Sequence, residues 1–170
     1  IASYEKAISL NNTDQRWFYE LDLVYADARM DLSKRLKLLQ DNHKIIVNNN
    51  VVDGLSREVL LLVQLRQYDK ALEICNSRSF PQWEGVDKMY GSYLNSYLLR
   101  GYKNLKAGKY KQALKDGLTA MQYPTNMMVA REYRGGRECE VYYFVGAVYE
   151  KMGDHTKAIE YWNGGINLRQ

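Results

Sequence analysis

The residues best able to do chemistry are few and scattered. Cys75 and Cys139 are the only cysteines, and His43 and His155 the only histidines. Neither cysteine lies in a CxxC, and the histidines have no metal-ligand spacing to them, so the sequence predicts no metal site. The two thiols read as buried and reduced. Glu138 and Glu140 pair two carboxylates, but GxSxG, HExxH, the P-loop and GxGxxG are all absent. The expectation is a chain that is not an enzyme and carries no cofactor. Arg100, Lys103, Lys106, Lys109, Lys111 and Lys115 follow one another with no acid between them, a pattern that could hold phosphate or RNA. Net charge is only +4, and a run spread over two helices reads as a solvated face. No nucleic-acid partner is therefore expected. Trp83 beside Glu84 and Gly85 could stack on a sugar or cation, or plug the gap between helix pairs. Arg131, Arg134 and Arg137 around Gly135 and Gly136 could take an anion, or form an exposed basic loop.

The elements that position these residues read as helices. The 170 residues are 46% apolar and 26% charged, with two prolines and long stretches rich in Leu, Ala, Lys and Glu. That composition predicts an all-α fold. No apolar run reaches the ~18 residues of a membrane helix, and a cytoplasmic location is expected. The chain opens at Ile1 inside a helical pattern, so the true N-terminus of a longer protein is expected upstream.

Three stretches align with one another: "VLLLVQLRQYDKALEICNSRSFP", "YLLRGYKNLKAGKYKQALKDGLTAMQYP" and "YYFVGAVYEKMGDHTKAIEYWNGGINL". Gly101 and Gly146 fall within first helices, where glycine costs up to ~1 kcal/mol against alanine and so implies close approach. Gly108 and Gly153 fall at turns, where a left-handed residue ends the helix. Arg66 stands at that place in the first stretch. Ala71, Ala113 and Ala158 follow at a fixed distance, with Tyr68, Tyr110 and His155 three residues before them. Upstream, "TDQRWFYELDLVYADARM" predicts a first helix capped by Thr13 or Asp14, and "LSKRLKLLQDN" a second capped by Ser33. "HKIIV" reads as a turn or a short helix. The resulting repeats are 14–41, 51–78, 90–123 and 137–169. Residues 1–10 form an orphan half repeat, and the whole chain 1–170 is one array.

This pattern resembles the tetratricopeptide repeat. Tyr97 or Tyr142, Gly101 or Gly146, Tyr149, Gly108 or Gly153, Tyr110, Ala113 or Ala158 and Ala120 stand at its signature places. Asn104, Arg66 and Gly117 depart from it. The alanines lie 42 and then 45 residues apart, against about 34 in the plain motif, so the inter-repeat loops carry insertions. The resemblance implies a right-handed α-α superhelix of helix pairs with extended loops. "YELDLVY", "FPQWEG", "YPTNM" and "VYYFVGAVYEKMGD" further resemble the C-terminal repeat region of a bacterial family of long proteins with an N-terminal β-rich domain of unknown function. That implies a scaffold segment and supplies no catalytic residue.

Stacked pairs line a concave face with their first helices. The register assigns Asn95, Leu98, Tyr102 and Leu105 to it from one repeat, and Glu140, Tyr143, Ala147 and Glu150 from the next. Asp53, Ser56, Leu60 and Val63 are the earlier counterparts. Lys and Arg are missing from these places, which argues against a clamp for a peptide carboxylate. The expected function is a non-enzymatic scaffold, docking a protein or the remainder of its own chain. The alternative is an accessory carbohydrate-binding part that uses Trp83 and Glu84. Oligomeric state is left open.

Overall fold

The computed structural model describes residues 1–47, 52–80, 86–128 and 136–168. Trp83, Glu84, Arg131, Arg134 and Gly135 lie outside them. Among the described residues there is no strand. The helices run α1 (Ala2–Leu10), α2 (Gln15–Asp27), α3 (Leu32–Asp41), α4 (His43–Val47), α5 (Asp53–Gln64), α6 (Tyr68–Asn76), α7 (Val86–Lys106), α8 (Tyr110–Ala120), α9 (Glu138–Met152) and α10 (His155–Asn167), with a 3-10 turn at Thr125–Met127. The expected all-α architecture of helix pairs is what the chain adopts. The chain forms two compact units, Ile1–Ser92 and Tyr93–Gln170. No described helix is long and apolar enough to cross a membrane.

In the first unit, α2 turns Phe18, Leu21 and Tyr25 inward, at the spacing of one helix face. They meet Leu36 and Leu39 of α3 and Leu55, Val59 and Leu62 of α5, all buried. "HKIIV" is a helix, and its Ile46 is fully buried. Asp14 caps α2 by accepting from the Arg16 amide at 2.9 Å. The cap of α3 is Asp31, not Ser33: its carboxylate accepts from the amides of Ser33 at 2.9 Å and Lys34 at 3.1 Å. Both residue types can cap, but a carboxylate at the helix N-terminus is also favoured by the dipole. Ser33 is then already inside the first turn.

The turns within the helix pairs share one hydrogen-bond pattern. Arg29, Arg66, Gly108 and Gly153 have φ of 53°, 59°, 72° and 82°. Each amide bonds a carbonyl three residues back, to Ala26, Val63, Leu105 and Glu150. Each following amide (Met30, Gln67, Lys109, Asp154) bonds one five residues back, to Tyr25, Leu62, Asn104 and Tyr149. This is a Schellman close, written four times. Two of the four positions hold arginine, which the left-handed region penalises by roughly 1–2 kcal/mol. Part of that penalty returns with glycine, less about 0.4–1 kcal/mol for the looser unfolded chain. Arg66→Gly should therefore raise stability by about 0.5 kcal/mol and Gly153→Ala should lower it. Urea midpoints that move the opposite way would contradict the shared turn.

In the second unit, α7, α8, α9 and α10 enclose Leu94, Leu98, Ala113, Ala120, Val141, Phe144, Val145, Val148 and Ala158, all buried. The α8–α9 connection returns through Tyr123, whose hydroxyl donates to Glu138 at 2.8 Å. Asp116, buried, accepts from Arg100 at 2.6 Å and from the Asn104 amide at 3.1 Å. Arg100 is thereby committed to an internal pair, and the basic run shortens to five lysines.

Candidate functional site

A depression of about 380 Å³ opens between α7 and α9, lined by Leu98, Tyr102, Cys139, Glu140 and Tyr143. The repeat register brings these side chains together, because positions 98 and 102 are one helical turn apart, as are 139 and 143. Leu98 is buried, Tyr102 is half-buried, and Tyr143 is 62% exposed. Tyr102 is wedged against Phe144, with ring centroids 4.6 Å apart. Burial above all, and then Tyr143 and Glu140 nearby, hold its hydroxyl above the usual tyrosine range. The hydroxyl is thus a neutral donor at the mouth of an apolar hollow.

The wall beside it is held by charge. Arg137 reaches Glu140 through Nη2 at 2.6 Å and Nε at 3.1 Å, and its Nη2 also donates to the Asn95 amide oxygen at 2.9 Å. Asn95, assigned to the concave face from sequence, therefore ties α7 to the start of α9. Of the loop that the sequence reads as either anion-binding or simply exposed and basic, Arg137 is engaged by a carboxylate. Glu138 and Glu140 do not act as a pair: one takes Tyr123, the other Arg137.

Leu105, half-buried, and Glu150, exposed, do not line the depression. Glu150 accepts from or faces His155 Nδ1 at 2.7 Å, at the far end of α9. Trp83 and Glu84 lie outside the described residues. Asp53, Ser56, Leu60 and Val63 belong to the first unit, where Val63 is buried and the Ser56 hydroxyl donates to the Asp53 carbonyl at 2.8 Å. Cys139 is the lining residue that the sequence reading missed. Its register counterpart to Tyr143, one turn earlier on the same face, was the available signal.

His43 Nδ1 meets Glu58 at 2.7 Å, and among the described residues no three His, Cys, Asp or Glu side chains gather into a metal-binding group. The thiols differ sharply. Cys75 is fully buried beside the Met89 sulfur, and burial pushes its thiol up to about 12. Cys139 is half-buried and donates to the Gly165 carbonyl at 3.3 Å. Because the thiolate is the reactive form, iodoacetamide at pH 8 should modify Cys139 in the folded protein and spare Cys75. Mass spectrometry showing both sites modified at equal rates, without denaturant, would contradict the burial of Cys75.

Residues 140–170 match the tetratricopeptide repeat family. Across nearly the whole chain the fold is similar to MamA. A crystal structure of MamA aligns with a TM-score of 0.57 at 12% identity, covering 97% of this chain and 84% of that one. MamA 41-end from Desulfovibrio magneticus RS-1 aligns at 0.55 and 14% identity, covering 97% and 81%. A third structure, MamA MSR-1 C2, aligns at 0.51 and 16% identity, covering 98% and 87%. At such identities the likeness is one of fold. The chain thus carries a tetratricopeptide repeat at 140–170 within an all-helical repeat fold similar to that of MamA.

Proposed function

We propose that this chain is a non-enzymatic scaffold that docks an apolar segment of a protein, or of the remainder of its own chain, in the groove of Leu98, Tyr102, Cys139, Glu140 and Tyr143. The observation that carries the reading is the exposed Tyr143 ring over a hollow whose carboxylate and thiol are already paired. Glu140 is matched by Arg137, so the groove offers apolar surface with two tyrosine hydroxyls and little free charge. Tyrosine suits such a role because it supplies a large contact area at low entropy cost and keeps a polar tip. The repeat boundaries 14–41, 51–78, 90–123 and 137–169 belong to the same proposal, as does the attachment of this segment to a longer protein. Cys75 and Cys139 form no disulfide, which fits a reducing compartment such as the cytoplasm.

The test is a photoreactive benzoylphenylalanine placed at position 102, 143 or 115. Positions 102 and 143 should give discrete protein adducts, and the exposed position 115 should give none. Tyr143→Ala should then weaken binding of the adducted protein by about thirtyfold, the effect of losing a 2 kcal/mol hot spot. Equal labelling at all three positions would sink the proposal.

A further inference from the structure

A second surface follows from comparing one repeat with the next. Gly101, Gly108 and Ala113 recur 45 residues later as Gly146, Gly153 and Ala158. The same offset relates Leu94, Leu98, Gly117, Ala120 and Met121 to Cys139, Tyr143, Trp162, Gly165 and Ile166. In the earlier repeat four of these positions are closed off and Met121 is half-buried. Leu94, Leu98 and Ala120 are 1%, 5% and 3% exposed, and Gly117 is covered by Val145 and Phe144 of α9. In the later repeat the equivalent side chains surround a depression of about 370 Å³, with Tyr143 62% and Ile166 59% exposed. The chain itself therefore shows what such a face accepts: an amphipathic helix laid across the pair, as α9 lies on α7 and α8.

The two faces differ at one place. Gly117 and Gly101 leave a slot that the Phe144 ring fills. At the equivalent place Trp162 lies across Gly146, where its indole occupies the space a side chain at 146 would need. Its Nε1 donates to the Tyr143 carbonyl at 3.2 Å. The slot of this last pair is filled from within.

We propose that the face of Cys139, Tyr143, Trp162, Gly165 and Ile166 docks an amphipathic helix of a protein partner, and that Trp162 restricts that helix to a small residue where α9 carries Phe144. The face continues the α8–α9 stacking interface by one repeat, which sets the occupant as a helix lying in the same direction. A filled slot sets its side chain, because an aromatic knob would have to displace the indole. The groove between α7 and α9 shares Cys139 and Tyr143 with this face, whereas Ile166 belongs to this face alone and Tyr102 to the groove alone.

The probe is a side-chain-stapled, fluorescein-labelled peptide with the α9 sequence of residues 138–152, Cys139→Ser and Phe144→Ala, stapled because a helix this short is marginal in water. Anisotropy should show saturable binding to the full 170-residue chain. Ile166→Glu should abolish it, and Tyr102→Ala should leave it unchanged. The matching peptide that keeps Phe144 should bind the wild-type chain about tenfold or more weakly, and should regain affinity on Trp162→Gly. No binding of either peptide, binding insensitive to Ile166→Glu, or equal affinity for both peptides on the wild-type chain would overturn the proposal. So would self-association of the chain that Ile166→Glu abolishes, since the face would then belong to a second copy. Loss of binding in Tyr102→Ala with retention in Ile166→Glu would place the peptide in the groove and refute this face alone.

Discussion

Asp22→Ala should destabilise the first unit by about 3–5 kcal/mol, the cost of stranding a buried partner charge. The Asp22 side chain is 0% exposed and holds two guanidinium groups, from Arg35 at 8% and Arg57 at 18% exposure. Arg35 donates through Nε at 2.8 Å and Nη2 at 3.1 Å, and Arg57 through Nε at 2.6 Å. The carboxylate thus fastens α2 to α3 and to α5 at once. Without it, two cations face each other across low-dielectric packing, and neither can regain its full hydration. Arg57→Ala should cost less, about 1.5–3 kcal/mol, since Asp22 keeps its forked bond to Arg35. Replacing all three with apolar residues, Asp22→Leu with Arg35→Met and Arg57→Met, should return stability to near the wild type or above it. The contrast between the single and triple variants is the diagnostic. It is measured by urea unfolding together with hydrogen exchange of α2, α3 and α5 amides. A single variant that loses less than about 1 kcal/mol would mean that water reaches both guanidiniums.

That cluster could not be read from the sequence, and the reason is physical. Asp22 sits among Leu21, Leu23 and Val24, two residues after Glu20, where an acid in a helix reads as a solvated position. Its partners lie 13 and 35 residues away, beyond the reach of any local rule. The same distance hid Arg100. Its run of cations contains no acid, yet Asp116 stands one residue beyond the run and folds back onto it. The turn at Arg29 escaped because the reading looked for glycine, whereas the left-handed close is specified by the hydrogen bonds and tolerated by arginine. What was legible was periodic. Turn glycines, the small alanines and the aromatic three residues before them fix helix pairs and their register. Register in turn brings Leu98 and Tyr102 of α7 and Tyr143 of α9 to one hollow. It gives the face of a helix but not the depth along it, which is why Leu105 and Glu150 share that face and stand away from the hollow. Glu150 lies near the C-terminal end of α9, within reach of His155 at the start of α10.

Phe144→Ala should destabilise the second unit by about 3–5 kcal/mol, the range for truncating a buried aromatic. Phe144 is fully buried, and the backbones around it are shaped to admit it. A side chain added at Gly101 would meet Phe144 Cζ at 2.6 Å, and one at Gly117 would meet Phe144 Cδ1 at 2.9 Å and Val145 Cγ2 at 2.7 Å. These are rigid contacts, two helices offering bare backbone to one ring, so the site collapses poorly once the ring is gone. Phe144→Leu should recover part of the loss, because it refills part of the volume. Gly117→Ala alone should cost about 1–3 kcal/mol through overpacking. On the Phe144→Ala background that cost should shrink or reverse, a coupling of about 0.5–3 kcal/mol between the two positions. Urea unfolding of the four proteins in this cycle measures it, and additive effects would show that glycine and ring do not share the slot. The consequence reaches the groove. Tyr102 leans on Phe144, and removing the ring takes away the support that fixes the hydroxyl at the hollow's mouth. Phe144→Leu, folded but looser, should therefore lower adduct yield from benzoylphenylalanine at position 102 more than at position 143, whose side chain points to solvent and does not depend on the slot.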